Sequence, residues 1–214
     1  MMNVIRNIKY GAACAAVASL AFAMPVTHAQ NTQLKQIFTQ LAATPVVRAN
    51  FEQHKKLASL NKTYVSKGNI LFHKNQGVLW QIQSPVKADL IVTEKKLVQK
   101  TQRTSSQIAV DKTPYGSVAT MFLQLMSGNE AALAKNFNVV SVRYTPAAWN
   151  VSLKPKSSLF KKLFVQVDAQ GQRYVNQIVI HEQAQNSTTI RFSQHSSQPP
   201  SLTAAEHALF QLAK

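Results

Sequence analysis

The residues able to do acid–base, nucleophilic or metal chemistry are few and scattered. Six histidines and eight acidic residues are spread over 214 positions. None falls into a His-Glu-x-x-His helix pattern, a carboxylate pair, a Gly-x-Ser-x-Gly elbow or a glycine-rich phosphate loop. His54 and His73 fall on the polar parity of their strands and read as solvated. His181, beside Glu182 at a strand end, reads as a surface residue. Asn-x-Ser/Thr triplets at Asn61, Asn150 and Asn186 carry no weight, because such triplets are common by chance. No catalytic set, metal set or cofactor motif emerges, so the chain does not read as an enzyme. The chemistry it does offer is apolar. Phe72, Trp80, Met121, Phe122, Met126 and Trp149 are large side chains on elements expected to face one another. They make either an ordinary packed core or a binding surface, and periodicity does not separate the two.

The element that positions most of them is Gly68 to Pro85. Ile70 and Phe72 alternate with Asn69, Leu71 and His73. Beyond a tip at Asn75-Gln76-Gly77, Val78, Trp80 and Ile82 alternate with Leu79, Gln81 and Gln83. Period-two alternation on both sides of a glycine-containing turn predicts a β-hairpin with one apolar face. Lys74 shares the parity of Ile70 and Phe72. It either frays into the turn or places a cation at the rim of the apolar side.

The rest of the chain reads as further hairpins around two helical stretches. Leu34, Ile37, Phe38 and Leu41 predict a helix over Thr32 to Ala43, ended by Pro45. Strands follow at Val46 to Lys55, Tyr64 to His73, Val78 to Gln83, Asp89 to Thr93 and Lys96 to Lys100. A short candidate strand lies at Gln107 to Val110. Pro114 and Tyr115 open a helical pattern whose Val118, Phe122, Leu125 and Met126 share a face. Gly128 stops it, and a short helix covers Asn129 to Lys135. Strands resume at Phe137 to Tyr144, Trp149 to Lys154, Leu163 to Asp168, Tyr174 to Glu182 and Ser187 to Gln194. A terminal helix over Thr203 to Ala213 would dock through Leu209, Phe210 and Leu212. The fold class is mainly β with helices: one curved antiparallel sheet, an N-terminal helix and a helical insertion mid-chain. A sheet that curls needs its concave face filled, and helices on polar tethers can fill it. Shared parity and helical spacing place Ile70, Phe72, Val78, Trp80, Ile82, Leu90 and Val92 on that face, with Phe122, Leu125 and Met126 over it.

The first residues read as an export signal rather than as part of the fold. Arg6 and Lys9 form a basic start. Gly11 to Ala23 is apolar but too short to span a bilayer, and Thr27-His28-Ala29 presents small residues for cleavage after Ala29. Residues 1–29 are then a signal peptide and 30–214 one domain. The single cysteine, Cys14, lies inside the apolar run, with Gly11 where a lipidation site needs a larger aliphatic residue. The exported chain would therefore carry no thiol, disulfide or Cys-metal site. The net charge of +16 includes two units from Arg6 and Lys9. Such a balance favours acidic partners. Export argues against nucleic acid, and lysines on the polar parity of strands also read simply as a solvated face.

The order of these features resembles the periplasmic outer-membrane lipoprotein carrier (LolA) family over nearly all of the exported chain. The resemblance runs through Phe51-Glu52-Gln53, Gly68-Asn69-Ile70-Leu71-Phe72, a basic residue and Trp80, then Ser84-Pro85 and Leu90-Ile91-Val92. It continues through Met126-Ser127-Gly128-Asn129, Leu133 and Phe137. Leu153-Lys154-Pro155 and Leu163-Phe164-Val165-Gln166-Val167-Asp168 look like the family's following hairpin. The family's Arg-Pro at the hairpin tip appears here as Lys74-Asn75.

The resemblance implies an unclosed β-barrel lidded by helices, with an apolar cavity that takes up acyl chains. It implies a periplasmic, monomeric carrier that receives lipoproteins from an inner-membrane ATP-driven release complex and delivers them to an outer-membrane receptor. It implies no cofactor. A divergent member would carry another acylated lipid or a glycolipid, or would sense lipid with the same sheet. Lys74, at the family's basic position, is expected to latch the closed lid through carbonyls at the ends of its helices.

Overall fold

Where apolar and polar residues alternate between turn signals, the chain folds into hairpins. The computed structural model describes residues 26–109, 120–121 and 123–214. Its strands are β1 (Val46–Leu57), β2 (Lys62–His73), β3 (Gly77–Ser84), β4 (Ala88–Val92), β5 (Lys96–Thr101) and β6 (Ser105–Ala109), then β7 (Phe137–Tyr144), β8 (Trp149–Pro155), β9 (Phe164–Gly171), β10 (Val175–Glu182) and β11 (Ser187–Ser196). Its helices are α1 (Val26–Ala42), α2 (residues 120–121 and 123–126), α3 (Glu130–Asn136), α4 (Ser158–Leu163) and α5 (Ala204–Gln211). Among the described residues the strands form one 11-stranded sheet, ordered β6-β5-β4-β3-β2-β1-β11-β10-β9-β8-β7. All neighbours are antiparallel. The sheet is not closed, because β6 and β7 are its two edges. This is the mainly-β, lidded, unclosed architecture expected from the sequence.

The strand order dictates where the lid must be. From β1 at the centre the chain steps outward by hairpins to β6, one edge. It then reaches β7 at the opposite edge and steps inward until β11 pairs with β1, Phe51 opposite Phe192. The segment between β6 and β7 therefore has to travel from edge to edge. Its described part, α2 and α3, packs against one face of the sheet together with α1, and one continuous apolar cluster joins these helices to β1–β5 and β7–β11.

Two apolar layers result, one on each face. The inner cluster holds Ile70, Phe72, Val78 and Val92 under α1 and α2. A second, smaller cluster holds Val46, Leu71, Leu79, Ile91 and Val98 on the other face, under Phe210 and Ala213. The β2–β3 hairpin thus has two buried faces near its tip, not the one that alternation predicts. The near-continuous apolar runs Ile70-Leu71-Phe72 and Val78-Leu79 are the trace of this double burial. Leu212, expected to dock, is 44% exposed, and Ala213 docks in its place. The last turn of α5 rotates Leu212 to the solvent side.

An ion pair holds α5 in place. Arg48 donates from Nε and Nη2 to the two carboxylate oxygens of Glu206, each at 2.7 Å. It also donates to the carbonyls of Pro199 and Ser201. Glu206 is at the same time the third residue of a capping box, accepting from the Thr203 backbone N–H while Thr203 accepts from Glu206 N–H.

Other boundaries move by a few residues. Helix α1 begins at Val26, earlier than the apolar spacing shows. Strand β6 begins at Ser105, and Val110, expected to end it, lies outside the described residues, as do Pro114, Tyr115 and Val118. Helix α4 is not anticipated by the sequence reading. Ser157 caps it by accepting from Phe160 N–H, and Phe160 turns inward onto Phe137 at 5.0 Å. Six residues are too few to show a helical period.

The Arg48 hydrogen bonds, acting against burial, hold the Glu206 carboxyl below its ordinary value of 4.5. A depressed folded-state pKa means that stability is present above about 4.5 and is lost as pH falls through the folded value. Glu52 and Asp168 shift in the same direction, so a variant is needed to isolate Glu206. The stability difference between wild type and Glu206→Gln, measured by urea unfolding, should be constant above pH ~5.5 and shrink as pH falls below ~4.5. A difference that does not change with pH would show that Arg48 gains nothing from the charge of Glu206.

Candidate functional site

The register of the first hairpins places the expected apolar residues side by side. Ile70 lies opposite Trp80 and Phe72 opposite Val78. Trp80 lies opposite Leu90 and Val78 opposite Val92. Directly paired residues share a face, so this set and Ile82, two residues beyond Trp80, occupy the inner face of the curl. Cover over the face is graded along the strands. Ile70, Phe72, Val78 and Val92 are buried, whereas Trp80, Ile82 and Leu90 are half-buried. Trp80 and Ile82 pack against the inner cluster, which Leu90 does not reach.

Aromatic side chains from three strands meet at the centre of the face. The Trp80 and Phe51 rings lie 4.5 Å apart, tilted by 47°. Phe192 meets Trp80 edge-on at 6.2 Å. Phe51 is on β1 and Trp80 on β3, so β2 lies between them. The β2 residue opposite Phe51 is Gly68. A Cβ on Gly68 would fall 1.9 Å from the Gln81 carbonyl oxygen, so no side chain stands there and the two rings meet across the strand. Such a pair is worth about 0.5–1.5 kcal/mol beyond its area burial. The Gly-x-Ile-x-Phe run gave β2 its parity. The contribution of Phe192 depends on a strand pairing, β1 with β11, that no local signal announces.

The buried end of the face is covered by helices. Met121 and Leu125 of α2 are fully buried, and Leu123 and Met126 are nearly so. Phe122, expected to cover the face, lies outside the described residues. Helix α1 adds Leu34, Ile37, Phe38 and Leu41. The two helices meet at Gly128, whose φ is +64°. A Cβ there would sit 2.4 Å from the Phe38 carbonyl oxygen, so the lid backbone rests directly on α1.

Lys74 lies in the turn beyond β2 rather than on the strand, and it is exposed. Its backbone N–H donates to the Pro45 carbonyl at 2.8 Å. Lys74 lines a cleft of about 980 Å³ whose wall also includes Leu123, Gln124 and Ser127. The carbonyls of Leu123, Gln124 and Leu125, at the end of α2, already accept from Ser127, Asn129 and Gly128. One acceptor in that wall is free: Gln124 Oε1 is buried without a hydrogen-bond partner.

Polar groups elsewhere form surface networks. Asp168 accepts from Ser152 Oγ at 2.6 Å, from Gln166 at 2.8 Å and from His181 Nε2 at 2.8 Å. Burial opposes ionisation of Asp168, but the three donors prevail and its pKa is lowered. The hydroxyl of Ser152 is turned to the acid and not to the imidazole, so it is not an activated nucleophile. His54, expected to be solvated, is half-buried and paired with Glu52. Among the described residues no group of His, Cys, Asp and Glu could hold a metal ion, and no helix is long and apolar enough to cross a membrane.

An apolar inner face under helices is what the comparisons with known proteins bear on. The sequence profile of the outer membrane lipoprotein carrier protein LolA matches residues 42–210. The chain belongs to the LolA family. The match takes in every strand, the lid and most of α5. LolA-like proteins are carriers or binders of lipid or lipoprotein rather than enzymes, and this chain is a divergent one. No curated protein matches its sequence. Among solved structures, a DUF1329 family protein from Desulfovibrio piger superposes with a TM-score of 0.52 at 9% identity, over 87% of this chain and 99% of that one. A LolA superfamily protein from Nitrosomonas europaea gives 0.49 at 9% identity, over 82% and 96%. A chain of the Pseudomonas aeruginosa MucA/MucB complex gives 0.43 at 9% identity, over 81% and 62%.

Substituting Gly128 tests how the LolA-type lid is seated. Gly128→Ala meets both the left-handed backbone and the Phe38 carbonyl, so the melting temperature should fall by roughly 2–8 °C. Amide exchange should accelerate in α2 and stay unchanged in β2 and β3, because the helix lifts while the sheet holds. Unchanged exchange in α2 would show that the helix is not seated through this contact.

Proposed function

We propose that the chain is a periplasmic carrier that takes the acyl chains of a lipoprotein onto the inner face of its sheet, beneath α1 and α2. It would collect cargo from an inner-membrane ATP-driven release complex and pass it to an outer-membrane receptor. The observation that carries this reading is the graded cover over one apolar face. Phe72, Val78 and Val92 are sealed by the lid, and Trp80, Ile82 and Leu90 continue the same face with partial cover. An acyl chain entering at the half-covered end would extend the apolar surface already there and displace the lid stepwise. Each methylene buried contributes about 0.8 kcal/mol. A bilayer offers the cargo nearly the same burial, so loading and unloading both lie close to balance and the lid sets the rates.

Lys74 is the proposed latch on this lid. With the α2 carbonyls already engaged, its acceptor is Gln124 Oε1 across the cleft, which an ammonium swinging inward would satisfy. A buried acceptor left unpaired costs about 1–3 kcal/mol, so this closure favours the empty form. Cargo entry would have to break it, which makes release easier. An arginine has a wider fork of donors and would hold more firmly.

Mass spectrometry of lipid that co-purifies with the protein identifies the cargo. Acylated peptide is the expected finding. Free glycolipid would redirect the reading to a carrier of another acylated lipid, and no lipid together with no displacement of a bound dye by fatty acid would refute carriage. The latch is tested by the release rate of a fluorescent acyl ligand. Lys74→Leu should release it roughly three- to tenfold more slowly. Release that is equal or faster would leave Lys74 as a turn residue.

A further inference from the structure

The two ends of the sheet differ in what they show to solvent. At one end lie the β1–β2 tip, the β3–β4 turn, α4 and the start of β7. Among the described residues, the large apolar side chains that are exposed gather there. They are Leu60 (55%), Tyr64 (53%), Val65, Val86 (69%), Val140 and Val165. Only Leu212, on the opposite end beside α5, lies elsewhere. The β1–β2 hairpin runs on past the end of β3. Residues 62–66 of β2 pair with β1 alone, because β3 begins its pairing at Lys67. Tyr64 and Val65 point to opposite faces of this finger and both are exposed.

The same end is basic. Lys56, Lys62, Lys87, Lys154, Lys161 and Lys162 are exposed there, and none forms an ion pair with a described residue. The acids of this end have side-chain partners, Asp89 through the neutral Gln81 Nε2, which donates to it at 3.2 Å. Glu52 is paired with Lys67 and His54, Glu182 with Lys55, and Asp168 with His181. A cleft of about 550 Å³, walled by Ile82, Ala88, Lys87, Asp89 and Lys100, opens there as well. The half-covered part of the inner face therefore faces this end.

We propose that this end docks on an anionic lipid bilayer, with Leu60 and Val86 entering the headgroup layer and the lysines resting on lipid phosphates. The lysines alone would suit any polyanion. The apolar side chains decide for a bilayer, since Leu60 and Val86 stand singly on turns between the cations rather than in a groove shaped for a peptide or a base. Docking does not depend on the carrier reading. It stands or falls on vesicle binding, whereas carriage stands or falls on ligand in the inner face.

The experiment is sedimentation of the full chain, as processed by the cell, with phosphatidylcholine vesicles with and without phosphatidylglycerol. Binding should need phosphatidylglycerol and weaken steeply with salt. The triple variant Lys154→Gln, Lys161→Gln, Lys162→Gln should weaken it more than about tenfold. Leu60→Ser with Val86→Ser should weaken it roughly fivefold. Arg143→Gln with Arg173→Gln, at the other end, should leave it unchanged. In a Cys14→Ser background, an environment-sensitive fluorophore on Leu60→Cys should shift to the blue on these vesicles, and one on Arg173→Cys should not. Equal losses from both sets of charge variants would overturn the proposal. So would equal fluorophore shifts at both positions. Binding to heparin and to vesicles that is equally insensitive to Leu60→Ser with Val86→Ser would make the surface a general polyanion site and overturn it too.

Discussion

Consecutive strands β6 and β7 are the two edges of the sheet, so the chain between them must cross from one edge to the other. A right-twisted antiparallel sheet of this width curls. The crossing is shortest over the inner face, and its described helices pack there with α1. The lid is therefore a consequence of strand order rather than an addition to a finished barrel. It is tied to the sheet through its two ends and to α1 through the Gly128 contact with Phe38.

In the proposed carrier, that arrangement makes the inner face an exchangeable interface. Met121, Leu123, Leu125 and Met126 bury it now, and their burial is non-directional. Another apolar occupant can replace them with little change in free energy, whereas a hydrogen-bonded strand could not be replaced without unpaired backbone groups. Methionine, flexible and polarizable, is suited to contacts that must be made and unmade. On the opposite face α5 is fixed differently, by an Arg48–Glu206 pair, a capping box and the buried Phe210. In the proposed carrier, the first face opens and the second stays closed.

Period-two alternation was enough to place Ile70, Phe72, Val78 and Trp80 on one face, because a strand has only two faces and register errors would bury lysines and glutamines. The family likeness also lay in the order of short motifs. What the sequence hid depends on long-range pairing. Leu71, Leu79 and Ile91 look like the solvated parity of their strands until α5, far along the chain, is seen to cover them. Phe51 joins Trp80 only because Gly68 leaves space between their strands. Helix α4 was too short to show a period, and its Ser157 cap is common to many turns. The Lys74 parity argument ended at His73, where the strand ends and the turn takes over.

The central claim is that cargo lies against the inner face beside Trp80. The chain has two tryptophans, and Trp149→Phe leaves Trp80 as the only reporter. Fatty acids brominated at mid-chain quench indole fluorescence only at contact range. Titrating the Trp149→Phe protein with them should quench Trp80 in a saturable way, with the same midpoint as displacement of a bound fluorescent acyl ligand. Saturable binding of the fatty acid with Trp80 left unquenched would place the cargo elsewhere and contradict the account.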